Sequence, residues 1–270
     1  MRKLHLLLIC LTAACSGLAT PSPTQPPPQI SVVTATSPPR PTATQPQAVT
    51  PLPAPPEPKK MTLTAPDGAS LVGTFYPPLT APAPGVLLLH MLGGCACKED
   101  WDAFARDLQR QGMAAFALDL RGHGESAKPE DWTKAPGDVR AAWDAFIARS
   151  EVDPKDSAIV GASIGANLAL IVGANNPAVV VVVALSPGQD YHGLKPSALL
   201  TNFGQRPVLL VASQDDSYSY TSVQQMANLA PASETHYLTN AGHGTDMFRD
   251  PNLELVLLDW LRKHLGILKG

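Results

Sequence analysis

The chain has 270 residues, with 20 basic against 23 acidic side chains for a net charge of −3, and 44% of its residues are hydrophobic. No basic stripe runs through it, which excludes a surface built to neutralise nucleic-acid phosphates. Fourteen of its 28 prolines lie between Thr20 and Pro58, so the composition separates a leader and spacer from about 210 residues able to bury one core.

Arg2 and Lys3 precede an apolar run from Leu4 to Ala14, and Cys15-Ser16-Gly17 follow at once. A basic start, a short apolar core and small residues predict a secretory signal over residues 1–14. The run is too short for a permanent transmembrane helix, which needs ~20 apolar residues. Thr12-Ala13-Ala14-Cys15 resembles a bacterial lipobox, with Thr12 where Leu is usual. That resemblance implies lipidation at Cys15 and an exported protein anchored at the cell envelope; the alternative is plain cleavage and soluble secretion. Losing Arg2 and Lys3 leaves 18 basic against 23 acidic residues, a balance of −5.

Residues 15–58 read as a disordered Pro/Thr-rich linker. Proline removes backbone donors and few large apolar groups are present to bury. As a polyproline-II spacer at ~3.1 Å per residue it reaches on the order of 120 Å.

From residue 59 to 270 the pattern is that of one α/β domain. Met61–Thr64 and Leu71–Tyr76 flank the hairpin signal Pro66-Asp67-Gly68-Ala69. Strand and helix patterns then alternate: a parallel-type apolar strand over Gly85–His90, a helix over Lys98–Gln111, a strand over Met113–Leu120 and a helix over Thr133–Arg149. The apolar run Ser157–Val160 leads into Gly161-Ala162-Ser163-Ile164-Gly165, and a helix pattern continues through Val172. Val179–Leu185 contains five consecutive valines, which demand burial on both faces. Strands over Pro207–Ser213 and Thr235–Thr239 flank a helix around Thr221–Ala230, and a last helix is expected from an Asp250 cap with Pro251 in its first turn. Such alternation predicts a mostly parallel sheet with helices on both faces and a ligand site at the carboxyl ends of the strands.

The pentapeptide Gly161-Ala162-Ser163-Ile164-Gly165 is a Gly-x-Ser-x-Gly elbow, which stands a serine clear of the sheet on a strained strand-to-helix turn. A serine hydroxyl is a poor nucleophile and needs an imidazole, itself oriented by a carboxylate. Downstream, Asp215-Asp216 follow one strand and His243 lies in the small-residue loop Asn240-Ala241-Gly242-His243-Gly244 after the next. Alternation points only one of the two aspartates toward His243; Asp190, after the valine strand, is a third candidate. His90 and His123 read as structural, and His192 as a residue that could line the pocket.

On these residues the domain resembles an α/β-hydrolase of the compact dienelactone-hydrolase-like or carboxylesterase kind. His90-Met91-Leu92-Gly93-Gly94 is similar to that family's oxyanion loop, with Met91 where Gly is commonest. Asp119-Leu120-Arg121-Gly122-His123-Gly124-Glu125-Ser126 matches a phrase typical of the fold. The resemblance implies a Ser163–His243–Asp216 triad, with Asp215 the alternative acid, and an oxyanion hole from the N–H groups of Leu92 and Ile164. It implies carboxylic ester hydrolysis through an acyl-enzyme, without metal or cofactor. Only Ser186–Arg206 separate two strands where lidded lipases carry a longer cap, so small or exposed esters are the expected substrates. A peptidase or amidase of the same fold and a non-catalytic surface binding module are the rival readings. Cys95-Ala96-Cys97 adjoin the oxyanion loop as a small disulfide or two thiols, with ordinary loop cysteines the expectation.

Overall fold

The computed structural model describes residues 54–267. The predicted signal, Cys15 and most of the spacer lie outside the described residues. At the spacer's end, the Pro56 carbonyl accepts a hydrogen bond from Gln109 Nε2 (3.0 Å), which also donates to Pro77 (2.7 Å). Contact with the domain thus begins before the first strand.

Strands β1 (Lys59–Thr64) and β2 (Ser70–Tyr76) form the expected hairpin. Its turn places Gly68 at φ +87 and lets Asp67 Oδ1 accept the Ala69 N–H (3.2 Å), an Asx turn. The rest is alternation: β3 (Ala83–Leu89), α1 (Asp102–Arg110), β4 (Ala114–Leu118), α2 (Ala135–Ile147), β5 (Val152–Ala162), α3 (Ile164–Ala174), β6 (Val181–Leu185), β7 (Val208–Ser213), α4 (Ser217–Met226), β8 (Ser233–Leu238) and α5 (Leu253–His264). The eight strands lie in the order β1-β2-β4-β3-β5-β6-β7-β8. β2 is antiparallel to both of its neighbours, and every pairing from β4 to β8 is parallel.

Side-chain alternation along each strand divides the core into two layers. Leu87, Leu89, Ile159 and Val182 face α2, α3 and α4, where Trp143 and Phe146 are fully buried. Val86, Leu88, Val160, Val181 and Val183 face α1 and α5. The valine run therefore supplies both layers, as continuous burial requires. Full burial of a side chain such as Phe146 contributes roughly 3 kcal/mol.

Among the boundaries that differ from the sequence reading are three helix starts. Lys98–Trp101 forms a 3-10 turn ahead of α1. Helix α4 begins at Ser217, directly behind Asp216, which caps it. Helix α5 begins at Leu253 with Asn252 at the cap position, not at Asp250. There Gly244–Arg249 forms its own 3-10 turn, and Asp250 uses a side-chain oxygen to accept the Asn252 N–H (2.9 Å).

Candidate active site

Ser163 joins β5 to α3 at φ 55, ψ −117, a conformation that costs of order 1–3 kcal/mol for a non-glycine residue. The turn is over-determined by its neighbours. The Ser163 N–H donates to the Leu185 carbonyl on β6 (2.8 Å), and the Ser163 carbonyl accepts from Ala166 and Asn167 (2.9 and 3.2 Å). A Cβ on Gly161 would lie 2.1 Å from the Gly165 carbonyl oxygen, and one on Gly165 would lie 2.4 Å from that of Leu89. Strand and helix cross so closely that only glycine fits at either place.

His243 and Asp216 meet at the carboxyl end of β7. Asp216 caps α4, accepting the Ser219 N–H on Oδ1 (3.3 Å), and its Oδ2 lies 2.6 Å from His243 Nδ1. A nitrogen that close to a carboxylate carries the proton, which leaves Nε2 as the basic position. Burial pushes the Asp216 carboxyl up, but the hydrogen bonds from Ser219 and His243 outweigh it and hold it below the usual carboxylate range. Asp215 turns away. It accepts from the Ser213 hydroxyl and the Gly242 N–H (3.1 Å), and so shapes the histidine loop without touching the imidazole. Asp190 is spent on the Gly193 N–H (2.7 Å) and Lys195 (3.2 Å).

The hydrogen bond of the His243 ring runs to Asp216 and none joins it to Ser163; catalytic bonds often tighten only around substrate. The segments of Ser163 and His243 are nonetheless packed together. A Cβ on Gly244 would lie 2.5 Å from Met91 Sδ and 3.6 Å from Ala162 Cβ, and the Gly244 N–H donates to Ser186 Oγ (2.9 Å). Met91 is buried under the histidine loop at this point, so its side chain has a packing role.

The N–H groups of Leu92 and Ile164 donate to no acceptor among the described residues. Ile164 opens α3, where unpaired N–H groups and the positive end of the helix dipole favour an anion. His90 fixes the loop below Leu92: its Nδ1 donates to the Met91 carbonyl (2.7 Å), and its Nε2 accepts the Leu120 N–H (3.0 Å). Burial lowers its pKa and keeps the ring neutral. Contrary to the expectation of ordinary thiols, Cys95 and Cys97 are joined in a disulfide. Tied in this way, the sulfurs are not thiolate ligands, although Cys95, Cys97 and Glu99 cluster.

The Asp119–Ser126 phrase is a brace. Asp119 accepts the Lys98 N–H (2.7 Å), Lys98 Nζ (2.9 Å) and the Glu125 N–H (2.9 Å), and Arg121 binds Asp138 and Asp67. His192 packs against Trp132 with ring centroids 5.4 Å apart. Tyr191 was not foreseen. Burial pushes its phenol up to about 12, against a hydrogen bond with Ser219, and its ring lies beside His243. No local pattern marks such a residue, because its role arises only from packing across the site.

The domain has the α/β-hydrolase fold. Residues 86–206 match the model of a family described as the alpha/beta hydrolase family. No curated protein matches the chain. Among solved structures it is similar to the α/β hydrolase GrgF from Penicillium sp. sh18, at 17% identity and TM-score 0.65, over 78% of this chain and 99% of that one. Est1E from Butyrivibrio proteoclasticus, solved with ferulic acid bound, is similar at 14% identity and TM-score 0.67, over 76% and 99% of the two chains. The Pyrococcus furiosus esterase Pf2001 is similar at 18% identity and TM-score 0.63, over 78% and 94%.

Proposed function

We propose that this chain is a serine hydrolase that cleaves carboxylic esters of small or exposed substrates. The observations that support this reading are the 2.6 Å pair of His243 Nδ1 and Asp216 Oδ2 and the elbow conformation of Ser163. In the first step the Ser163 hydroxyl gives its proton to His243 Nε2 as Oγ bonds to the ester carbonyl carbon. The developing oxyanion lies against the Leu92 and Ile164 N–H groups, each such donor being worth about 3 kcal/mol. His243 then passes the proton to the leaving alcohol oxygen as the C–O bond breaks, giving an acyl-Ser163. Water, deprotonated by the same nitrogen, attacks the acyl carbon, and Ser163 leaves with the proton restored. Asp216 stays ionised throughout and stabilises the imidazolium. Between β6 and β7 the chain carries only a loop with one 3-10 turn, Ser197–Phe203, and an uncapped site suits short, soluble esters.

Incubation with a fluorophosphonate and turnover of p-nitrophenyl acetate test the proposal. The expected results are a mass adduct on Ser163 and ester hydrolysis that Ser163→Ala abolishes. Folded protein that takes up no label would favour the binding module, and faster cleavage of aminoacyl amides than of esters would favour a peptidase. We further propose export and lipidation at Cys15, which the leader and spacer pattern supports. Labelled fatty acid should enter the wild-type chain and not Cys15→Ala.

A further inference from the structure

The segment after β6 is held to the nucleophile helix by one buried side chain. Asn167, one turn beyond Ser163 on α3, donates from Nδ2 to the Gly188 and Leu194 carbonyls (2.8 Å each) and accepts the Gly188 N–H on Oδ1 (3.0 Å). Between those anchors Tyr191 and Leu194 exchange backbone hydrogen bonds (3.3 and 2.9 Å). His192 and Gly193, at φ 51 and 85, make the intervening two-residue turn, as a tight hairpin of this hand requires. A side chain at Gly188 would strike the rings of Tyr191 and Tyr218, each 2.6 Å from its Cβ, so the rings pass where glycine leaves room.

Tyr191 thus enters the site from a fixed backbone. Its ring makes a T-shaped contact with the His243 imidazole, with centroids 6.4 Å apart and planes at 89°. Its hydroxyl lies 3.0 Å from Ser219 Oγ and 3.3 Å from the Ser186 carbonyl. The Ser219 N–H donates to Asp216 Oδ1, whose other oxygen holds His243. Contacts therefore run in a closed circuit through Tyr191, Ser219, Asp216 and His243.

We propose that Tyr191 is a positioning residue for the base: anchored through Ser219 and carried on a loop that Asn167 ties to the nucleophile helix, its ring holds the imidazole at the angle from which Nε2 serves Ser163. This deepens, and rests on, the hydrolase reading. It acts on geometry, and a displacement of ~1 Å at a reacting group can cost 10²-fold in rate.

The test compares Tyr191→Phe and Tyr191→Ala, with rates normalised by titration of active sites. For Tyr191→Ala the expected kcat falls about 10- to 100-fold per site with KM within about threefold, while Tyr191→Phe, which keeps the ring, returns to within about fivefold of wild type. A loss of folded protein alone would lower the titrated sites and leave kcat per site unchanged. If Tyr191→Ala does not fold, Tyr191→Leu fills the space without a flat ring and carries the same comparison. A second readout needs no substrate: the downfield proton resonance of His243 Nδ1–H, assigned by its loss in His243→Ala. It should be sharp in wild type and Tyr191→Phe, and broadened or lost in Tyr191→Ala. That change in a protein that hydrolyses no ester would support the positioning role while removing the hydrolase reading. Wild-type kcat per site together with an unaltered resonance in Tyr191→Ala would overturn the proposal.

Discussion

Replacing Asp216 by Asn, beside the same change at Asp215, separates the two adjacent carboxylates. Asp216 Oδ2 lies 2.6 Å from His243 Nδ1. A carboxylate and an imidazolium at that separation attract by about 6 kcal/mol at an effective dielectric of ~20, and by about 2 kcal/mol at ~80. The Asp216 side chain is 14% exposed and that of His243 38%, so the pair lies between those limits. That span corresponds to roughly 30-fold to somewhat above 10⁴-fold in rate. An amide N–H presented to Nδ1 would also impose the wrong tautomer, which places the expected fall in kcat near the upper end, about 10³- to 10⁴-fold. Asp215→Asn loses contacts to Ser213 and Gly242 but none to the imidazole, and kcat should stay within about fivefold with a small drop in Tm. Initial rates on p-nitrophenyl acetate, normalised to active sites, together with circular-dichroism melts measure both. A folded Asp216→Asn protein within tenfold of wild type, or an equal loss at Asp215→Asn, would refute the assignment of the acid.

Gly165→Ala would press a methyl group to 2.4 Å from the Leu89 carbonyl, which the paired end of β3 holds in place, and 2.6 Å from that of His90; about 3 kcal/mol or more of stability should be lost. Gly112→Ala meets no atom within 4 Å and bears only the strain of φ +81, about 1–2 kcal/mol, so equal shifts in urea midpoint would contradict the packing argument. A hydrogen bond with Asp107 and partial burial raise the Glu254 carboxyl from 4.5 to about 6. Its contribution to stability is complete below pH 4.5 and lost as pH rises through about 6, so Glu254→Gln should flatten the stability curve across that window; an unchanged slope counts against the pairing. Reducing the Cys95–Cys97 disulfide should loosen the loop that presents the Leu92 N–H and slow turnover severalfold, by less than the ~3 kcal/mol of a whole donor. The same reductant acting equally on a Cys95→Ser/Cys97→Ser protein would rule that link out.

Much of the architecture was legible because its signals are local. The Gly-x-Ser-x-Gly elbow, the valine run and the period-2 strands each carry their own backbone or burial requirement, and the strands formed where those patterns lay. The ends of helices were less legible. Asp250-Pro251 has the chemistry of a helix start, yet Gly244–Arg249 turns independently and the regular helix waits until Leu253. Which of Asp215 and Asp216 contacts His243 depended on which carboxylate α4 would recruit as its cap, and that follows from the direction of the chain after Ser213. Asn167 and Tyr191 were illegible in principle. A buried amide in an apolar helix and a tyrosine in a loop acquire meaning only when a segment twenty residues away folds over them.

The His90 ring has a consequence for how the domain meets acid. One imidazole joins the end of β3 to the segment after β4 by donating on one nitrogen and accepting on the other. A second proton would set an N–H against the Leu120 N–H and abolish that acceptor. Because burial lowers the folded pKa below 6.5, this junction is intact above that value and fails as pH falls through the lower one. Acid inactivation should therefore contain a slow structural component, the unseating of the Leu92 loop, distinct from the immediate silencing of a protonated base. The two are separable by whether activity returns at once on neutralisation or only as the junction re-forms.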